Sequence, residues 1–474
     1  MDKPRTAIKN IVSAIESAAA RPLAVPLLIV ALGLWLLTCQ WLRHFAFETS
    51  AYDLRIHEEL VRSVFNGTPF YSGLLGQSFL GYHVSIIFAL LAPLYALCPT
   101  PTFLLILQGV LVMLGAWFLW RIAHHAGLRP MVSLALVCAF FFFRGMHESY
   151  FRGFQQEVLG MVFLLGFLWA HQSRRRTWGI ILGLLALSCR EDVAVFMLPL
   201  GLAACLSKKD RGWGLGVCAT CLAWISICYF RIIPAHTTGG MAGFDRWTQY
   251  GDTVPAIAAY WLRHPAEILS HIFNLKAIRL FLFLLCLPLV DPLALCAMAI
   301  PWIVNTTSSF PHQSQLGGAY GALFVPFLFL GAIRVLSRPK LRAALASHTA
   351  ALVFFVVLIA INFRLPPLPE SLQGAMAANA GMARLNHHLE GRRVLAQGCV
   401  IPHLGWPAAY DMLGSPQARE DSTYDVIVLA PGKNAWPLQP EDIRARIQAL
   451  SASGDWAHQE DGFVHIFRKV KNTR

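Results

Sequence analysis

Residues 48–83 read E-T-S-A-Y-D-L-R-I-H-E-E-L-V-R-S-V-F-N-G-T-P-F-Y-S-G-L-L-G-Q-S-F-L-G-Y-H. The stretch follows directly on an apolar run, Pro22 to Trp41. Asp53, Arg55, His57, Glu58 and Glu59 fall within its first part, in a chain only 14% charged. Carboxylates next to a membrane span are costly unless they are solvated or have a task. The stretch therefore reads as a polar loop at the exit of a first span, and the rest of the chain is placed relative to it.

Outward from this loop, composition sets the class. The chain of 474 residues is 56% hydrophobic with a mean hydropathy of +0.52, and apolar runs recur from Pro22 to Phe363. Most of it belongs in a bilayer. The net charge of +13 is gathered in short clusters between the apolar runs: Arg121 to Arg129, Arg174 to Arg176, Lys208 to Arg211 and Arg338 to Arg342. That distribution follows the positive-inside rule, and no nucleic-acid footprint is read from it. The eleven cysteines are scattered, mostly inside spans, and give no disulfide framework. Cys218 and Cys221 lie in an apolar run, where packing explains them.

Charge alternation predicts a basic cytoplasmic segment 1–21, about eleven spans within 22–363, and outer loops 42–101 and 231–276. Residues 84–98 are apolar but short and contain Pro93; the charge rule is kept if they dip into the interface without crossing. Leu365-Pro-Pro-Leu-Pro369 is a stiff linker. Beyond it, 393–397, 424–429 and 463–467 read as strands and 440–452 as a helix. The expected fold is an all-α polytopic membrane protein with a small C-terminal α/β domain, 364–474, on the far side.

With the spans so placed, the unusual polar residues sort to the outer face. Asp53 is the leading acid/base candidate; the plain alternative is a cap for the amphipathic run after it. Arg190-Glu191-Asp192 stands at the end of a short span, where Arg190 could neutralise a phosphate and the carboxylates orient it. His83, Glu58, His147, Glu157 and His312 complete the candidate binding set, although each is also an ordinary interfacial residue. No H-E-x-x-H, Walker loop or G-x-S-x-G is present.

The chain resembles a family of predicted polytopic bacterial membrane proteins placed in the GT-C glycosyltransferase superfamily. The likeness rests on Tyr52-Asp53-Leu-Arg-Ile-His-Glu-Glu59, Asn66-Gly-Thr-Pro69, Gly81-Tyr-His83, Arg190-Glu-Asp192, Gly318-Ala-Tyr-Gly321 and Ile401-Pro-His-Leu404. It implies a polyprenyl-phosphate-linked sugar as donor, Asp53 as the catalytic acid residue, and 84–98 as a membrane-lying helix. The acceptor (glycan, lipid or protein) is left open, and a divalent metal ion fits the scheme without being required. The implied location is the bacterial inner membrane, with the N-terminus cytoplasmic and the C-terminus periplasmic or extracellular. Two departures from the superfamily pattern stand out: Glu58 and Glu59 lie beyond Asp53 instead of forming a tight pair with it, and Arg190 stands where Lys is usual. A lipid or solute transporter or flippase, and a non-catalytic polyprenyl-lipid-binding protein, are the competing classes. Turnover that depends on Asp53 separates an enzyme from both.

Overall fold

The computed structural model describes residues 2–19, 21–237 and 243–470; part of the expected loop 231–276 and the last four residues of the C-terminal domain lie outside these. The described chain is mostly helical, 65%. In its first half the helices are α1 (Asp2–Ala19), α2 (Ala24–Phe45), α3 (Ile56–Ser63), α4 (Ile87–Tyr95), α5 (Pro101–His125), α6 (Pro130–Phe142), α7 (Arg144–Tyr150), α8 (Gln156–Gln172), α9 (Arg176–Cys189), α10 (Val193–Cys205) and α11 (Arg211–Ile227). There follow α12 (Ile233–Ala235), α13 (Val254–Arg263), α14 (Pro265–Ile272), α15 (Leu275–Leu282), α16 (Pro292–Thr306), α17 (Pro311–Ser314), α18 (Val325–Leu336), α19 (Pro339–Ala344) and α20 (His348–Asn362).

Five described helical stretches are long and apolar enough to cross a membrane: Ala24–Phe45, Pro101–His125, Pro130–Tyr150, Arg211–Ala235 and Pro311–Leu336. Shorter apolar helices, α9, α10, α16 and α20, stand among them. α2 packs on α5, α5 on α8, α8 on α9, α10 on both α11 and α16, and α20 on α6. The α10–α11 approach is close enough to need glycine. A Cβ on Gly214 would stand 2.6 Å from the backbone of Gly201 and of Cys205.

The basic clusters meet at one end of this bundle. Arg129 pairs with Glu16 of α1 at 2.7 Å and bonds the Leu345 carbonyl, while Asp210 takes both Arg174 and Arg176. Helix α4, of nine residues, rises only about 14 Å, half the hydrocarbon thickness. It is too short to cross alone.

The apolar run at 278–289 is not one continuous helix. Helix α15 stops at Leu282, Leu285 and Cys286 take positive φ, and a 3₁₀ turn holding Pro288 follows. The segment nevertheless runs from Asn274, bonded to Ser314, to Val290, bonded to Arg338. At the break the Phe283 carbonyl accepts the Asn362 side-chain N–H at 2.6 Å. A side chain from a neighbouring helix thus satisfies the freed backbone group, which is what makes an irregular segment tolerable there.

After the linker come α21 (Ala375–Asn386) and α22 (Pro440–Ala452). With β1 (Tyr71–Ser72) and β2 (Gln77–Ser78) forming a small hairpin in the first loop, the C-terminal strands are β3 (Arg393–Ala396), β4 (Ala409–Met412), β5 (Val426–Leu429), β6 (Trp456–Asp461) and β7 (Val464–Lys469). Their order is β4-β3-β5-β7-β6, parallel across β4-β3-β5 and antiparallel beyond. β5 is buried throughout. β4 and β6 are additions to the expected strands; both are edge strands, and neither Ala-Tyr-Asp-Met nor Trp-Ala-His-Gln-Glu-Asp shows the alternation of a half-buried strand.

This C-terminal unit is fastened to the first loop through Arg55, whose side chain is 1% exposed. Its guanidinium pairs with Glu58 at 2.9 Å, donates to the Leu404 and Gly405 carbonyls and to the Tyr410 hydroxyl, and lies 3.6 Å from the Trp406 ring centre. Glu58 also accepts from Tyr95 of α4 at 2.6 Å, and Glu59 from Ser72 and Tyr410. His403 is stacked on both His44 and Phe47. Removing one member of a buried ion pair leaves the other unpaired, at a cost of roughly 3–5 kcal/mol. Arg55→Ala is therefore expected to lower the melting temperature sharply and to open the 364–374 linker to protease in the full-length protein. Tyr410→Phe, which leaves the ion pair intact, should do so far less.

Candidate functional site

Asp53 sits in a single π-helical turn, Ala51–Arg55, whose start is capped by the Ser50 side chain. The turn lets the chain swing from the end of α2 into α3, with Leu54 and Arg55 buried. Asp53 is turned outward, its carboxylate 22% exposed. It accepts from Gln155 Nε2 at 3.2 Å and faces the Arg152 guanidinium at 3.5 Å. Asp53 and Arg152 line an open cleft of about 520 Å³, shared with Arg43, Glu48, Arg144, Glu148, His312 and Asn434. That volume is in the usual range for small-molecule sites.

Arg152 is held in place by backbone geometry. Gly318 has φ +57°, and a Cβ there would lie 2.6 Å from an Arg152 nitrogen. The guanidinium therefore rests against bare backbone. Glu148 pairs with Arg144 at 2.5 Å and with Arg364 at 3.4 Å, and accepts the Gly318 N–H. Arg43 pairs with Glu48 and also donates to the Phe151 carbonyl.

A second polar cluster lies at the start of α10. Arg190 pairs with Glu157 at 2.5 Å and with Asp192 at 2.9 Å. Glu191 takes His83 Nδ1 at 2.9 Å and the Val84 backbone N–H at 2.9 Å. So His83, Glu157, Arg190, Glu191 and Asp192 come together as one network. Asp53 does not touch it. The two sites are joined through the segment entering α8, where Gln155 holds Asp53 and Glu157, two residues on, holds Arg190.

The remaining candidates divide. His312 lines the Asp53 cleft. Glu58 is buried in the Arg55 fastening and faces no cleft. His147 is buried and packs on Phe151, with ring centres 4.7 Å apart. Arg43, Glu48 and Asn434 belong to the cleft, and Gln155 orients its acid, without having been singled out in the sequence. Gln-Gln-Glu in an apolar setting was the available signal for Gln155; for Asn434, distant by hundreds of residues, there was none. Among the described residues no three His, Cys, Asp or Glu side chains group to hold a metal ion. Each cleft carboxylate already faces a guanidinium, so the donor set does not suit a divalent cation.

Burial alone would lift the Glu191 carboxyl, but His83 and Arg190 outweigh it and hold the group below the usual carboxylate range. The folded-state value thus lies below the unfolded one of 4.5. The stabilisation is whole above pH 4.5 and is lost as pH falls through the depressed value. Glu191→Gln is expected to be less stable than the parent by roughly 1.5–3 kcal/mol at pH 7, with the gap narrowing as melting is repeated down to pH 3.

No curated protein matches the chain. Residues 43–464 match a family model described as "Predicted membrane protein (DUF2079)", a span that takes in the first loop, both polar clusters and nearly all of the C-terminal unit. With apolar helices able to cross a membrane and a match over most of its length, the chain belongs to this DUF2079 family of predicted membrane proteins.

Proposed function

We propose that the protein is a membrane glycosyltransferase of GT-C type, transferring a sugar from a polyprenyl-phosphate donor to an acceptor hydroxyl with inversion. The observation that carries this reading is the contrast among the first-loop carboxylates. Glu58 and Glu59 are buried and bonded into the fastening, and Glu48 is held by Arg43 and the Glu370 backbone N–H. Asp53 shares the cleft with Glu48 but, alone of the four, has no carboxylate contact shorter than 3.2 Å.

In the proposed reaction the acceptor O–H gives its proton to the Asp53 carboxylate while its oxygen attacks the anomeric carbon. The bond from that carbon to the phosphate oxygen breaks, and the polyprenyl phosphate leaves with the electron pair. Arg152 is the cation placed to meet the charge that develops there, since its contacts to Asp53 are loose and its donors are not used up. Arg190, suggested for that role by sequence, is engaged by two carboxylates and serves to position Glu157 and the start of α8. In the membrane we assign eleven crossings, the eighth being the broken segment 275–290, with the basic end of the bundle cytoplasmic and the Asp53 cleft at the outer face of a bacterial inner membrane.

The test is transfer of labelled sugar from a polyprenyl-phosphate donor by the purified full-length protein in nanodiscs, screened over acceptors. Asp53→Asn is expected to lower turnover by 10²–10⁴-fold, the usual contribution of a general base, while donor lipid still binds. Transfer that persists in Asp53→Asn would overturn the assignment; label crossing the bilayer without a new glycosidic bond would favour a transporter.

A further inference from the structure

A second groove, of about 570 Å³, opens beside the Asp53 cleft and shares Arg43, Glu48 and Asn434 with it. Its far wall is the loop that leaves β5, residues 430–440. That loop stands where the strand connections diverge. β3 and β5 are parallel neighbours; the chain leaves β3 towards β4 on one side, and leaves β5 through α22 towards β6 on the other. The carboxyl ends of two such strands form a crevice where open α/β sheets bind ligands. Gln397, directly after β3, fixes the loop: its oxygen accepts the Ala430 N–H at 2.9 Å and its amide donates to the Asn434 carbonyl at 2.8 Å.

The chemistry of this groove differs from that of the cleft. Its two cations, Arg43 and Lys433, face Glu48 at 3.4 and 4.0 Å, and Glu370 also lines the groove, so two positive and two negative residues balance there. Asn434 uses its side-chain oxygen on the Trp436 backbone N–H and keeps its amide donors. Trp436 itself is 56% exposed. Its ring is steadied edge-on by Tyr52 at 5.2 Å, the residue next to Asp53. A rigid aromatic face left in water, beside amide donors and paired charges, suits a neutral ring with one apolar face and a rim of hydroxyls.

We propose that this groove is a carbohydrate subsite in which Trp436 is the platform for a pyranose ring and Asn434 binds its hydroxyls. Resting on the transferase reading, we assign the bound ring to the acceptor. Apart from Arg43 and Glu48, every residue lining the groove belongs to the C-terminal unit and not to an apolar span that a lipid-linked donor would follow, and the groove adjoins the Asp53 cleft through the shared wall.

The experiment is saturation-transfer NMR on the full-length protein in nanodiscs, free of maltoside detergent, with the methyl glycosides of glucose, galactose, mannose and N-acetylglucosamine as probes. At least one glycoside is expected to receive saturation. Trp436→Ala should reduce the signal at least fivefold, and Trp436→Phe should keep at least half of it. Absence of transfer to all four probes, or equal transfer in Trp436→Ala, overturns the subsite. Displacement of the glycoside by a short-chain polyprenyl-phosphate mannose would give the groove to the donor and overturn the acceptor assignment. If Asp53→Asn turns over like the parent while glycoside binding still needs Trp436, the transferase reading falls and the subsite stands.

Discussion

A guanidinium cannot give up its proton inside a protein, so a buried arginine must be answered donor by donor. Arg55 is that constraint here. It is answered by one carboxylate from its own helix turn, two backbone carbonyls and one hydroxyl from the C-terminal unit, and the face of Trp406. Each partner is held in turn: Glu58 by Tyr95 of α4, and Tyr410 by Glu59, which also holds the hairpin through Ser72. A polar loop of the membrane part and a sheet more than 300 residues later thereby become one body. The cleft and the groove lie along their seam, and both depend on the seam staying closed.

The sequence carried the helical part well because bilayer physics writes itself into composition. Long apolar runs and basic clusters predicted most helices, and the contact of Trp117 with Trp169, which carry Arg121 and Arg175 on their rings, brings two of those clusters to one end. Residues 278–289 show what hydropathy leaves out. Hydropathy registers that these residues are apolar, but positive φ at Leu285 and Cys286 and the rescue by Asn362 depend on a neighbour eighty residues away. Strands β4 and β6 were missed because edge strands need not alternate.

For the site, the sequence marked the right loop and left its residues undivided. Asp53, Glu58 and Glu59 look alike as letters; only burial separates an acid facing a cleft from two that hold the fold together. Asn434 and Trp436 carried no local signal, since their meaning comes from the strand order that brings their loop to Glu48 and Tyr52.

The two arginine clusters show how charge balance, more than proximity, separates a structural cation from an available one. Arg190 has 2.5 and 2.9 Å contacts to two carboxylates and is shielded from solvent. An incoming phosphate would have to displace an anion already desolvated with it, at close to full Coulombic cost in a low-dielectric setting. Arg152 has one carboxylate at 3.5 Å, is partly exposed, and rests on a glycine that adds no competing group. Water or an anion can reach it with little rearrangement. The same comparison explains why the cleft forms where it does: the segment entering α8 is anchored at Glu157 by the saturated arginine, which leaves Gln155, two residues earlier, fixed enough to orient Asp53.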